Sequence, residues 1–238
     1  MAATSQAFSI TVQDTKGRIM DVEVMSYTKS SGNVRIKRTD GNIFNVKISL
    51  FDQESQKKII AAAPIAFPKL DIKVSIGKRR EKQRGSSYMK NNLVSVSTKI
   101  KNTARDIDLP KCKFTIFLIG RNAKRYADKT MDWSKILSIQ KFETSILASK
   151  EYSHEFLPVR TSYDSDKDST NTGGWEFDGY LLIIQDPKDE ILLAKSSIGP
   201  IKTTVVNNPQ LLKTALGFSQ NQQLNRDFTP MKGFAPPR

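Results

Sequence analysis

Apolar and polar residues alternate through most of the first sixty positions of this chain. Ile10 and Val12 alternate with polar neighbours, as do Met20, Val22 and Val24, then Val34 and Ile36, then Phe44, Val46 and Ile48. Period-two patterning places one face of each strand in a core and the other in water. Turn signals separate the runs: Asp14–Arg18 with Gly17, Ser30–Asn33 with Gly32, and Thr39–Asn42. Asp40-Gly41 between two alternating runs predicts a tight hairpin with positive φ at both central residues. After Ile48 the period changes. Ser49 or Asp52 can cap a short helix carrying Ile59 and Ile60, and Pro64 ends it. These elements predict a small β-barrel closed by one helix.

Several of these residues carry a resemblance. The order Asp14/Gly17-Arg18, Val22-Glu23-Val24, Gly32-x-Val34-x-Ile36, Asp40-Gly41, Phe44-x-Val46-x-Ile48-x-Leu50 and Asp52-Gln53 resembles the SHD-type domain. That family is an SH3-like barrel named after an endocytic actin-patch adaptor and also found in bacterial proteins. The sequence departs from it at Phe8, where many relatives carry Trp, and at Phe51, where a capping Ser is common. In the adaptor the domain binds a peptide of the Asn-Pro-Phe-x-Asp type, so the resemblance implies a peptide-binding barrel.

Ala61–Pro68 reads as a helix end and a proline-marked linker, which sets the domain boundary. Beyond it the pattern is again β. Leu70, Ile72, Val74 and Ile76 alternate with polar residues, as do Val94, Val96, Thr98 and Ile100. Phe114–Ile119 is apolar on both faces, as a central strand would be. Trp133–Ile139 with Phe142, then Phe156–Tyr163, continue the pattern. Gly179–Ile184 and Ile191–Ala194, joined by Asp186-Pro187-Lys188-Asp189, predict a hairpin. About seven strands without a long helical pattern predict an immunoglobulin-like or fibronectin-like β-sandwich. The expectation is an all-β chain: an SH3-like barrel with a short C-terminal helix over 1–66, a sandwich over 67–206, and a weakly ordered or docked tail over 207–238.

Composition narrows the function classes. Of 238 residues, 38% are hydrophobic and 8% aromatic, an ordinary balance for a folded chain. No window approaches the roughly 18 apolar residues of a membrane span. The short polar start Met1-Ala-Ala-Thr-Ser-Gln-Ala runs almost at once into the first strand, which predicts an exported protein, periplasmic or in the cell envelope, with a leader upstream; a cytoplasmic site stays open. Cys112 is the one cysteine, which excludes an intramolecular disulfide and a multi-cysteine metal site. Next to an apolar strand, it reads as a small buried thiol.

The net charge of +14 points to an anionic partner or a basic surface. Its densest segment is Lys78, Arg79, Arg80, Lys82 and Arg84, flanked by Gly77 and Gly85 and read as a loop. This loop could hold a polyanion such as nucleic acid or an acidic polysaccharide. Tyr88 is the one aromatic nearby, so nothing argues for base reading, and nucleic acid is disfavoured. Arg35, Lys37 and Arg38 predict a cationic stripe on the barrel's solvent face, suited to an acidic peptide. Trp175 and Phe177 read as core or hairpin anchors rather than a sugar platform.

Catalytic chemistry has no positive signal. Asp164, Asp166 and Asp168 occupy positions 1, 3 and 5 of a calcium-type loop, but Ser169 stands where glycine is needed and Glu176 comes one residue late. The expectation is a solvated loop and no metal. His154 is the single histidine and has no nucleophile motif around it. No phosphate loop, dinucleotide fingerprint or zinc motif is present, so no cofactor is expected. The reading is a non-enzymatic binding or scaffolding protein with a peptide or protein partner. The alternatives are a polyanion binder using 78–84 and a hydrolase with a site between the domains. The tail Phe234–Arg238 could serve as a ligand for a neighbouring barrel, giving self-association.

Overall fold

A computed structural model describes residues 9–29, 31–63, 67–81, 88–105, 107–123, 134–166, 172–225 and 228–231. The chain is all-β, with three short α-helices among the described residues. It divides into two compact units. The first holds residues 1–71 together with 101–109 and 146–151, and the second holds the rest.

In the first unit, β1 (Ser9–Gln13), β2 (Ile19–Thr28), β3 (Asn33–Arg38) and β4 (Ile43–Lys47) form an antiparallel four-stranded half-barrel in chain order. Val12, Val22, Val24, Val34 and Ile36 bury their side chains in one cluster, as the alternation requires. A register shift between Val24 and Ser26 bends β2. Helix α1 (Gln53–Ala62) closes the sheet. Asp52 is its cap, accepting from Ser55 N at 2.7 Å, and Ile59 fills the core while Ile60 faces out. Phe51 is 3% exposed and bridges to Asp14, so it is a core residue.

The hairpin after β3 differs from the two-residue turn expected. Gly41 has φ +83°, but Asp40 stays at negative φ. Gly41 N bonds Arg38 O and Arg38 N bonds Asn42 O, each at 2.9 Å, which makes a three-residue loop with a glycine bulge. Asp40 instead uses its carboxylate to accept from Asn42 N at 3.0 Å.

The first unit also contains the connections 101–109 and 146–151. Thr103 N and Oγ1 both bond Lys69 O, and the buried Asn102 amide bonds Ile107 O and Ile146 O.

The remaining strands build a layered sandwich. One sheet has the order β10 (Val159–Asp164), β6 (Met89–Asn102), β5 (Leu70–Glu81), with β9 (Glu151–Glu155) also pairing β6. The other has the order β12 (Ile191–Ser196), β11 (Trp175–Gln185), β7 (Leu109–Asn122), β8 (Ser134–Ile146), β13 (Gln223–Leu224). As expected, β11 and β12 form an antiparallel hairpin. Strand β7 is buried on both faces from Phe114 to Gly120. The reason is a third layer. Phe117, Ile119, Leu181 and Ile183 face α2 (Gly199–Thr204), α3 (Pro209–Leu216) and the chain beyond, packing on Ile201, Val205, Leu212, Phe218 and Phe228.

The opposite face meets the first sheet. Phe142 of β8 stacks on Phe114, with centroids 4.7 Å apart, and on His154 of β9 at 4.1 Å. Lys195 of β12 donates to Ile72 O at 2.5 Å.

Residues 209–225 therefore dock on the sandwich. Asn208 caps α3 by accepting from Gln210 N and Leu211 N, and β13 pairs Lys135 and Ser134. The segment 234–238 lies outside the described residues.

Candidate functional site: a cationic groove on the half-barrel

Residues 14–18 turn sharply, and one carboxylate organises them. Asp14 accepts from Lys16 N and Arg18 N at 2.9 Å each, and from Arg18 Nε at 2.7 Å. Arg18 Nη2 reaches the same carboxylate at 2.6 Å. The Arg18 backbone N–H, seconded by its guanidinium, holds the Asp14 carboxyl below the ordinary carboxylate value against the opposing effect of burial. Gly17 supplies the φ of +82° that returns the chain to β2.

This turn forms one wall of a groove of about 500 Å³. Its apolar surface comes from Ile19, Met20, Ile36, Phe44 and Leu50, and its charged surface from Lys16, Arg18 and Arg38. Ile19 is 71% exposed and Leu50 51%, so the groove shows water an apolar floor. Apolar side chains of this size in water mark an interaction site more often than a structural need. The Arg38 guanidinium carbon lies 5.8 Å from the Phe44 ring centroid, within cation–π reach. Arg38 Nη1 is also 3.7 Å from Asp40 Oδ2.

The expected stripe of Arg35, Lys37 and Arg38 is corrected by the strand's own period. Arg38 shares the face of Val34 and Ile36 and enters the groove, while Arg35 and Lys37 point to the other side. Lys37 there faces Glu23 across the strand pair at 4.0 Å. Phe44, expected in the core, is 38% exposed and serves the groove instead. Arg18 and Leu50 entered the sequence reading only as pattern positions and Ile19 not at all, so none was assigned to a site. For Ile19 a signal was present: it is an apolar residue at the polar phase of the Met20-Val22-Val24 alternation.

The basic run is also corrected. Lys78, Arg79 and Arg80 continue β5 rather than form a loop, and β5 is the outer strand of its sheet. Cationic side chains on an outer strand oppose pairing with another chain, which accounts for their position without a ligand. Lys78 donates to Phe177 O at 3.3 Å and lies 5.3 Å from that ring's centroid. Lys82 and Arg84 lie outside the described residues.

The acidic loop after β10 is held by its first residue. Asp164 is buried and accepts from Thr172 N and Asp166 N, which together hold its carboxyl below the ordinary value. No cluster of three or more metal-ligating side chains occurs among the described residues, and Asp168 lies outside them. His154 stands between aromatic rings, edge-on to Phe156 at 4.9 Å and flat on Phe142. Trp175 carries the Lys135 amine 5.6 Å from its centroid, and Phe177 is buried. Cys112 is buried, and burial, followed by the nearby Asp186 charge, pushes its thiol up to about 11. A thiol so protonated is a poor nucleophile.

No helix among the described residues is long and apolar enough to cross a membrane. No family model matches this chain, and no curated protein matches it. A crystal structure from Akkermansia muciniphila is similar over 68% of this chain and 88% of its own, with 11% identity and a TM-score of 0.22. That likeness carries no argument about fold or function.

Proposed function

We propose that this chain is a non-enzymatic binding protein whose half-barrel groove takes a short acidic peptide anchored by an aromatic side chain. The observation that carries this reading is an exposed apolar floor ringed by Lys16, Arg18 and Arg38, with no carboxylate among its lining residues except Asp14. Asp14 is already satisfied by Arg18 and by two backbone N–H groups. The volume of about 500 Å³ falls in the range of ligand clefts and accommodates one aromatic ring with its flanking backbone.

The resemblance to the SHD-type domain supports the same class of ligand, an Asn-Pro-Phe-x-Asp segment. In this arrangement the aromatic ring would sit against Phe44 and Leu50, and the acidic residue would reach Arg18 or Arg38. Aromatic anchors in apolar pockets commonly dominate such binding. A fluorescein-labelled peptide containing Asn-Pro-Phe-Thr-Asp, titrated with the full chain, tests the proposal. Binding in the micromolar range that weakens at least tenfold in Phe44→Ala is expected. Absence of binding, or equal binding to the variant, would contradict it.

A further inference from the structure

Strand β4 is the outermost strand of the half-barrel sheet, and among the described residues it pairs with β3 alone. Its two ends fix which backbone groups face outward. Arg38 N bonds Asn42 O at 2.9 Å before the strand, and Ile48 N bonds Gly32 O at 2.8 Å after it. The register between them runs without a shift, with Ile36 opposite Phe44 and Val34 opposite Val46. Bonded pairs recur at every second residue of an antiparallel ladder, so Phe44 and Val46 turn their N–H and C=O to β3. Ile43, Asn45 and Lys47 turn theirs to the open edge. Among the described residues nothing bonds those outward groups.

This edge lacks the protection that β5 carries. There Lys78, Arg79 and Arg80 stand in a row, whereas β4 reads Ile-Phe-Asn-Val-Lys with one charge at its end. The Lys47 amine donates to Ser31 O at 2.7 Å, which draws it back toward the turn before β3. Ile43 is 48% exposed and Phe44 38%, and Asn45 is exposed beside them. An open edge with so little charge is a template for another strand.

The strand is complementary to itself. Set antiparallel to its own copy about a twofold axis at Asn45, every outward residue gains a bonded partner. Asn45 meets Asn45 of the second copy, and Ile43 meets Lys47 in both directions, which makes about six main-chain bonds. Phe44 then lies directly opposite Val46 of the second copy, twice over, and aromatic pairs with β-branched residues stabilise sheets. No like charges oppose each other in this register. Moving the axis to Phe44 or Val46 leaves Lys47 or Ile43 without a strand partner. We propose that β4 joins two copies of this chain into a twofold dimer, with one continuous sheet across their half-barrels. The interface is small, so the dimer is weak and depends on concentration. This inference does not rest on the peptide reading of the groove.

Sedimentation equilibrium of the full chain provides the test. The weight-average mass should climb toward twice the monomer value between about 10 μM and about 1 mM. The net charge of +14 repels a second copy, so added salt should tighten the dimer, whereas it would loosen an acidic ligand. Asn45→Lys and Asn45→Asp each set like charges against each other at the axis, and each should be monomeric alone. Mixed in equal amounts they should associate again, because the two new charges attract. A second readout needs no variant. In the unaltered chain, amide exchange at Ile43, Asn45 and Lys47 should slow about fivefold from dilute to concentrated samples, with smaller changes at Phe44 and Val46. If either variant unfolds by circular dichroism, that exchange measurement decides. The proposal is overturned if the mass stays monomeric at about 1 mM. It is equally overturned if either folded variant dimerises alone, if the mixture of folded variants stays monomeric, or if the edge amides slow only when an acidic peptide is added.

Discussion

The Asp14 carboxylate and the Arg18 guanidinium meet at 2.6 Å and 2.7 Å across a single turn, and that pair sets the wall of the half-barrel groove. Because the carboxyl of Asp14 is held below its ordinary value, the ionised form favours the fold. The stabilisation is complete above the unfolded carboxylate value near 3.9 and is lost as pH falls through the lower folded value. Asp14→Asn should therefore lower the melting temperature at pH 7 and flatten the acid limb of the Tm-against-pH curve. An unchanged acid limb would contradict this.

His154 titrates with the opposite charge sign. Burial lowers its imidazole value, so the neutral ring is the form that packs on Phe142. The fold should lose stability as pH falls below about 6.5, with the loss levelling off beneath the lower folded value. His154→Phe keeps a flat ring and removes the proton site. Its Tm should vary less between pH 7.5 and pH 5 than that of the wild type, as differential scanning calorimetry would show.

Phe142 links four aromatic neighbours, namely Phe114, Tyr152, His154 and Phe156. Phe142→Ala removes a half-buried ring between the two sheets, and about 1–3 kcal/mol of destabilisation is expected by urea unfolding. A loss under about 1 kcal/mol would mean the rings do not organise the sandwich.

Gly174 has φ +109°, and a Cβ there would stand 2.5 Å from Ser162 O and 2.7 Å from Tyr163 Cα. Backbone atoms cannot yield as a flexible side chain can. Gly174→Ala should open the bridge between Tyr163 and Gly174 and speed exchange of the Asp164 amide, which now bonds Gly173 O. Retention of wild-type exchange at Asp164 would refute the clash.

Cys112 should react with a thiol reagent only when the sandwich opens, because it is fully buried beside β7's apolar run. Its modification rate should rise with urea in step with unfolding. Fast labelling in native buffer would contradict its placement.

Much of this architecture was legible in the chain. The Val22-Val24 and Val34-Ile36 alternation fell in the core as period-two burial demands, and the β11–β12 hairpin followed its Asp-Pro turn. Phe114–Ile119 announced a strand buried on both faces. What covers its second face was not legible, because Leu212, Phe218 and Phe228 come from a Gln- and Asn-rich tail whose burial depends on tertiary contact rather than local pattern. The groove was only half legible. Arg38 was singled out and is exposed as expected, but the phase set by Val34 and Ile36 separates it from the face of Arg35 and Lys37. Phe44 fitted the core alternation, yet β4 is the last strand of its sheet and leaves that ring at the rim. The basic run was misplaced for a related reason: flanking glycines suggested a loop, whereas an outer strand tolerates a row of cations.

The groove account is tested most directly by backbone chemical-shift mapping of the isotope-labelled full chain with the Asn-Pro-Phe-Thr-Asp peptide at saturation. The account predicts shifts concentrated at residues 14–20, 36–38, 44–46 and 50–51, all of them lost in Arg38→Glu/Phe44→Ala. Shifts confined to Lys78, Arg79 and Arg80, or no shifts at all, would contradict it.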